Sequence, residues 1–124
     1  MAVVLAEDNE EHPIPPELRP IFKSIADAFS TGDFRLKGAQ VQSVIPIDFG
    51  TAAYMAANVE DYGEQLVPLH PDVWDRACYS FQGTHWDAIV DLSTGTEKVS
   101  DLAMHARIRT RPSLQVEIWS IHVP

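Results

Sequence analysis

Apolar positions along the chain follow two different periods, and the change between them divides it. Leu18, Ile21, Phe22, Ile25, Ala28 and Phe29 recur at spacings of three and four, which puts them on one stripe of a helix. Arg19, Lys23, Ser24 and Asp27 take the opposite side. Pro15-Pro16-Glu17 suits an opening turn, because proline's missing N–H would be unpaired there anyway. Gly32 suits a stop. The spacing therefore predicts a helix over 16–30. Asp48 can cap a second, alanine-rich helix over 48–62 that ends at Gly63. Between the two, Val41, Val44, Ile45 and Ile47 read as a short strand before or around Pro46. Leu66–Leu69 reads as a brief extended piece that Pro68 bars from a central strand. His70–Trp74 reads as a turn and then a single helical turn.

The second half of the chain alternates. Residues 77–82, 85–92, 102–109 and 114–123 each have period two, the mark of a strand with one buried side. Gly83-Thr84, with glycine first, predicts a type II′ hairpin turn. Residues 93–100 form a polar loop, and a turn surrounds Arg111-Pro112-Ser113. Four sequential antiparallel strands make a meander.

Period two also fixes which residues share a side. Gln82 opposite His85 sets Phe81 beside Trp86 and Tyr79 beside Ala88. Matching the apolar sets then places Val90 beside Met104, Ala106 beside Ala88 and Ile118, and Ile108 beside Val116. One face becomes a continuous apolar surface that the first helix can cover. The other face has rows Cys78–Ile89–His105–Trp119, Ser80–Asp87–Arg107–Glu117, Gln82–His85–Arg109–Gln115 and Arg76–Asp91–Ala103–Ile121. It is polar at one end and half apolar at the other, around Ile89, Trp119 and Ile121. That apolar end needs a cover: the second helical segment, a second copy of the chain, or a partner.

Composition narrows the picture. The 124 residues are 45% hydrophobic and 22% charged, enough apolar side chain for one domain with its own core. Residues 7–13 hold four acids and no base, so 1–15 reads as a flexible acidic arm and 16–124 as a single α+β domain. Net charge is −9, with a pI near 4.8; such a field repels nucleic acid and anionic membranes. The lone cysteine, Cys78, precludes an intrachain disulfide, and the start of the chain lacks the basic and long apolar segments of a signal peptide. A cytoplasmic location is the expectation.

Candidate chemistry is sparse. Cys78 falls beside Ile89 and away from any histidine, which reads as a buried structural thiol rather than a nucleophile. The five histidines, His12, His70, His85, His105 and His122, show no helical i, i+4 pair, and no cysteine pair exists, so no metal or cofactor is assigned. His85, Asp87 and Arg109 are the nearest approach to a polar constellation, either a solvated strand face or a ligand site. Arg107, Arg109 and Arg111 form the one basic cluster. Asp87 and Glu117 are placed to neutralise Arg107, which leaves Arg109 and Arg111 for an acidic partner. No phosphate-loop, dinucleotide, nucleophile-elbow or zinc-protease motif occurs.

The segment Trp86-Asp-Ala-Ile-Val-Asp-Leu-Ser-Thr, then Ser100-Asp101-Leu102, then the ending Ile121-His-Val-Pro124, resembles a family of small bacterial proteins known only as a domain of unknown function. The likeness runs from about Ile21 to Pro124 and brings no activity with it. Its two motif acids, Asp91 and Asp101, flank one loop and would anchor it with Ser93 and Ser100. The fold expected is α+β: an N-terminal helix and a second helical segment packed on a four-stranded antiparallel meander. The cone-shaped cystatin-like and transport-factor-like folds offer an analogy of shape alone.

The leading functional reading is a non-catalytic protein-binding module, including the toxin-immunity kind. Its surface would comprise Ile89, His105, Trp119, Ile121, Arg109 and Arg111. The alternative is a small-ligand or enzymatic domain with a cavity between helix and sheet, with Tyr79 or His122 at the rim. A homodimer is the third.

Overall fold

A computed structural model describes residues 3–38 and 41–124. The chain opens with a short strand β1 (His12–Pro13), followed by helices α1 (Arg19–Ser30) and α2 (Phe49–Tyr62). Then come β2 (Leu66–Val67), a 3-10 turn at Pro71–Asp75, β3 (Cys78–Phe81), β4 (Trp86–Asp91), β5 (Ser93–Thr94), β6 (Ala103–Arg109) and β7 (Gln115–His122). The fold is α+β. The meander of β3, β4, β6 and β7 is extended by β1 into a five-stranded antiparallel sheet of order β1-β3-β4-β6-β7, and β2 pairs with β5 in a separate ribbon. The four-strand expectation is thus corrected by one edge strand and one ribbon.

The helices sit where their sequence places them. The α1 stripe buries Phe22, Ile25, Ala28 and Phe29. A turn closed by Leu18 N–H donating to the Pro15 carbonyl precedes it, so the helix starts later than the sequence reading. Asp48 caps α2, accepting from the Thr51 N–H at 3.1 Å. Gly63 ends α2 at φ 85°, a left-handed conformation that costs glycine nothing. One core gathers Phe22, Ile25 and Phe29 of α1, Met55 of α2, and Ala88, Val90, Met104, Ala106, Ile108, Val116 and Ile118 of the sheet. Burying each large side chain contributes ~1.5–3 kcal/mol.

Both sheet edges are shielded. The residues read as a loose arm lie along the sheet: Leu5 and Ile14 are buried, and His12 and Pro13 pair with Tyr79 and Cys78. Ala6 is held twice, its N–H donating to the Tyr79 hydroxyl and its carbonyl accepting from the Trp86 indole. Apolar Leu5 and Ile14, on either side of the acids, provide the reason. At the other edge, the short strand expected near Pro46 reduces to a single parallel bridge between Val44 and Val116. Ser43 has φ 70°, and Pro46 has no N–H to continue a ladder. Short and interrupted edges resist pairing with other chains.

Registers agree with period two from Cys78 to Arg109: Phe81 faces Trp86, Ala88 faces Ala106, and Ile89 faces His105. The Gly83-Thr84 hairpin closes with Gln82 N–H donating to the His85 carbonyl, and Gly83 has the positive φ its turn requires. The last pairing departs. A bulge opposite His105 and Ala106 inserts one residue into β7, so Ser120 rather than Trp119 pairs with His105, Ile121 pairs with Met104, and His122 pairs with Ala103. Two residues then oppose one, and the strand changes phase.

Candidate functional site

The phase change builds the second face of the sheet. Ile121, expected there, is 0% exposed and belongs to the core, with its carbonyl accepting from the Asn58 amide of α2. The docking surface read from the sequence therefore loses Ile121. Ser120 and His122 take its place. The buried residues of α2, Ala52 and Met55, are part of the core, and Tyr54 and Asn58 of the same helix line a cleft with His122.

Around the bulge the aromatic rings stack on one another. His105 and His122 lie nearly parallel, their centroids 4.0 Å apart. Trp119 flanks His105 at 5.4 Å, and the Arg107 guanidinium covers the indole at 5.2 Å, a cation–π arrangement. The Ser120 hydroxyl and His122 Nδ1 are hydrogen-bonded at 2.6 Å. His105 is only 8% exposed, and its Nε2 has no hydrogen-bond partner among the described residues. Burial, and secondarily His122, hold the His105 pKa below the usual imidazole range, against a smaller opposing pull from Asp87. A buried imidazole without an acceptor is better kept neutral. Trp119 remains 37% exposed and Ile89 half-buried. Trp86 and Trp119 belong to opposite faces, as the alternation requires.

The charges pair differently from the row-by-row expectation. Arg107 does face Asp87 and Glu117 in register. Yet Glu117 reaches Arg109 at 3.5 Å and Asp87 reaches His85 at 3.2 Å, while Arg107 turns to Trp119. Diagonal partners two residues along a neighbouring strand are within reach of long side chains. Arg109 is thus loosely paired, and Arg111 is exposed with no ion pair among the described residues. Cys78 is half-buried; burial first, then the neighbouring Glu11, pushes its thiol up. That is the opposite of what activates a nucleophile.

The loop between β4 and β6 is held by other groups than the two motif acids. Asp91 is buried and accepts from Arg76 Nη2 at 2.9 Å and Nε at 3.1 Å. Asp101 is exposed and contributes its backbone N–H, which donates to the Tyr62 hydroxyl. Two serines bond within the loop: Ser100 Oγ donates to the Leu92 carbonyl at 2.7 Å, and Ser93 Oγ to the Lys98 carbonyl at 2.6 Å. Glu97, passed over in the sequence, accepts from the Tyr62 hydroxyl and the Thr94 hydroxyl.

Asp8, Glu10 and His12 also escaped the sequence reading, because metal-ligand spacing was sought there only between histidines and between cysteines. Their donor atoms lie within 4.8 Å of one another. The Asp8 carboxylate already holds His12 Nε2 at 2.8 Å, which lowers the Asp8 pKa. The bulge residues did leave a signal: Val116, Ile118 and Ile121 are spaced by two and then by three, which a regular strand cannot place on one side.

No helix among the described residues is long and apolar enough to cross a membrane. Neither the curated proteins nor the solved structures contain a match to the chain. A family model does match residues 26–124, described as a domain of unknown function (DUF7668), and the chain belongs to that family.

Proposed function

We propose that the protein is a non-catalytic, cytoplasmic protein-binding module that docks a partner on the open face of its sheet. The observation that carries this reading is Trp119: a large aromatic side chain 37% exposed on a bulge, framed by Ile89, His105, His122 and Arg107. Tryptophan and arginine concentrate binding energy at interfaces. Bulges re-aim side chains where a strand leaves regular pairing. An immunity role against a basic toxin is one form of the reading, since an acidic chain attracts a basic partner over distance. The alternative, a ligand domain with a cavity between helix and sheet, has less support. That interface is filled by Phe22, Ile25, Phe29, Met55 and Met104, and the Tyr79 hydroxyl is occupied by Ala6.

Parallel affinity capture from the native host with wild type and Trp119→Ala tests this. A protein retained by wild type and depleted at least about tenfold by the variant is expected, the scale of an interface hot spot. Sedimentation of the purified chain would show instead whether a second copy is the occupant. Identical captured sets from both baits, with both proteins monomeric, would sink the reading. Trp119→Ala should fold normally, because the side chain is not in the core.

A further inference from the structure

At the turn end of the sheet, away from Trp119, two loops and the arm enclose a pocket of about 230 Å³. Phe81 and Trp86, with ring centroids 5.0 Å apart, contribute its aromatic wall. Gly83, Thr84 and Thr110 contribute polar backbone and hydroxyls, and Arg109 and Arg111 contribute two guanidinium groups. Glu7 also lines it, brought there because Ala6 is pinned to Tyr79 and Trp86. We infer that this pocket binds a carboxylate carried on an apolar or aromatic stem, such as the end or an acidic side chain of a peptide.

The chemistry follows from what the pocket leaves unpaired. Glu7 makes no ion pair with either arginine, and the Arg109 contact with Glu117 is long, at 3.5 Å, with both side chains near 40% exposed. Arg111 has none among the described residues. A guanidinium offers a planar fork of donors that a carboxylate matches with two parallel hydrogen bonds. Phe81 beside the arginines gives the carbon stem an apolar surface. Charge decides between anions. In a chain of net −9, with Glu7 and Glu117 close by, a phosphate dianion meets about twice the repulsion of a carboxylate. The inference goes beyond the docking reading, since the pocket uses neither Trp119 nor the histidines.

Amide NMR titration of the full chain distinguishes the cases, with three probes: N-acetylphenylalanine, its uncharged C-terminal amide, and inorganic phosphate. The free acid is expected to give saturable shifts at Gly83, Thr84, Thr110 and Arg111. Arg111→Gln should weaken binding about tenfold, as for the loss of a charge-assisted bidentate contact. Arg109→Gln provides a second, independent variant, and Trp119→Ala should bind like wild type. No saturable shift with the acid, an equal response to the amide, tighter binding of phosphate at the same amides, or full affinity in both arginine variants would each overturn the inference. None of those results bears on partner capture through Trp119.

Discussion

The two faces of this sheet are made by the same strands, and they solve different problems. On the helix side, Ala88, Val90, Met104, Ala106 and Ile108 are removed from water by α1 and α2. On the other side, aromatic rings cover one another instead: His105, Trp119 and His122 form a three-ring cluster, and Arg107 caps the indole. The first arrangement yields stability, because close-packed apolar burial scales with area. The second leaves a partly exposed aromatic patch held in place by stacking, at modest energy, since an aromatic pair adds ~0.5–1.5 kcal/mol beyond its area. The lesson is that one strand, β7, serves both sides by changing phase midway.

Substitutions on the two faces should therefore separate. The largest loss is expected from Ile108→Ala, a fully buried core residue, at ~2–5 kcal/mol of unfolding free energy in urea titrations. A loss under ~1 kcal/mol would mean that the core relaxes into the space, and the contrast between the faces would fail. Next is the Arg76–Asp91 pair at the edge of the open face. Arg76→Ala leaves a buried carboxylate without its donor, for a cost of ~1–2 kcal/mol after allowing for the exposure of the arginine. Asp91→Asn added to that variant should recover part of the loss. No recovery would show that the pairing is not what Asp91 contributes.

The smallest effect is a pH dependence. His105 has a folded pKa below its unfolded value, so the unfolded chain binds the proton more readily. Its contribution to stability is present above the unfolded pKa of about 6.5 and is lost as pH falls from there towards the folded pKa. Thermal melts across this window should show stability falling with pH in wild type. His105→Phe, which keeps a ring in the stack, should flatten the slope. An unchanged slope would assign the effect to another group.

Much of this was legible in the residues. Period two between Cys78 and Arg109 fixed ten cross-strand pairings that the structure repeats, because a shift by one residue would turn every apolar side chain outward. Asp48 and Gly63 marked the ends of α2, since caps act on the nearest backbone. The candidate surface was legible only in part. His105, Trp119 and Ile89 were placed on the right side, and Arg76 fell in one row with Asp91, its partner, but Ile121 was misplaced. The missing information was distant: the bulge serves a core that spans both helices.

Local chemistry in the sequence, then, determined both ends of α2 and the end of α1, which residues alternate, and that one sheet face would be apolar throughout. Only the assembled structure decided where β7 changes phase, that Leu5 and Ile14 tie the acidic arm to the sheet, and which charges meet. The physical reason is range. Periodicity and capping act over a few residues, whereas a bulge, an edge strand and an ion pair are chosen by what packs across the fold.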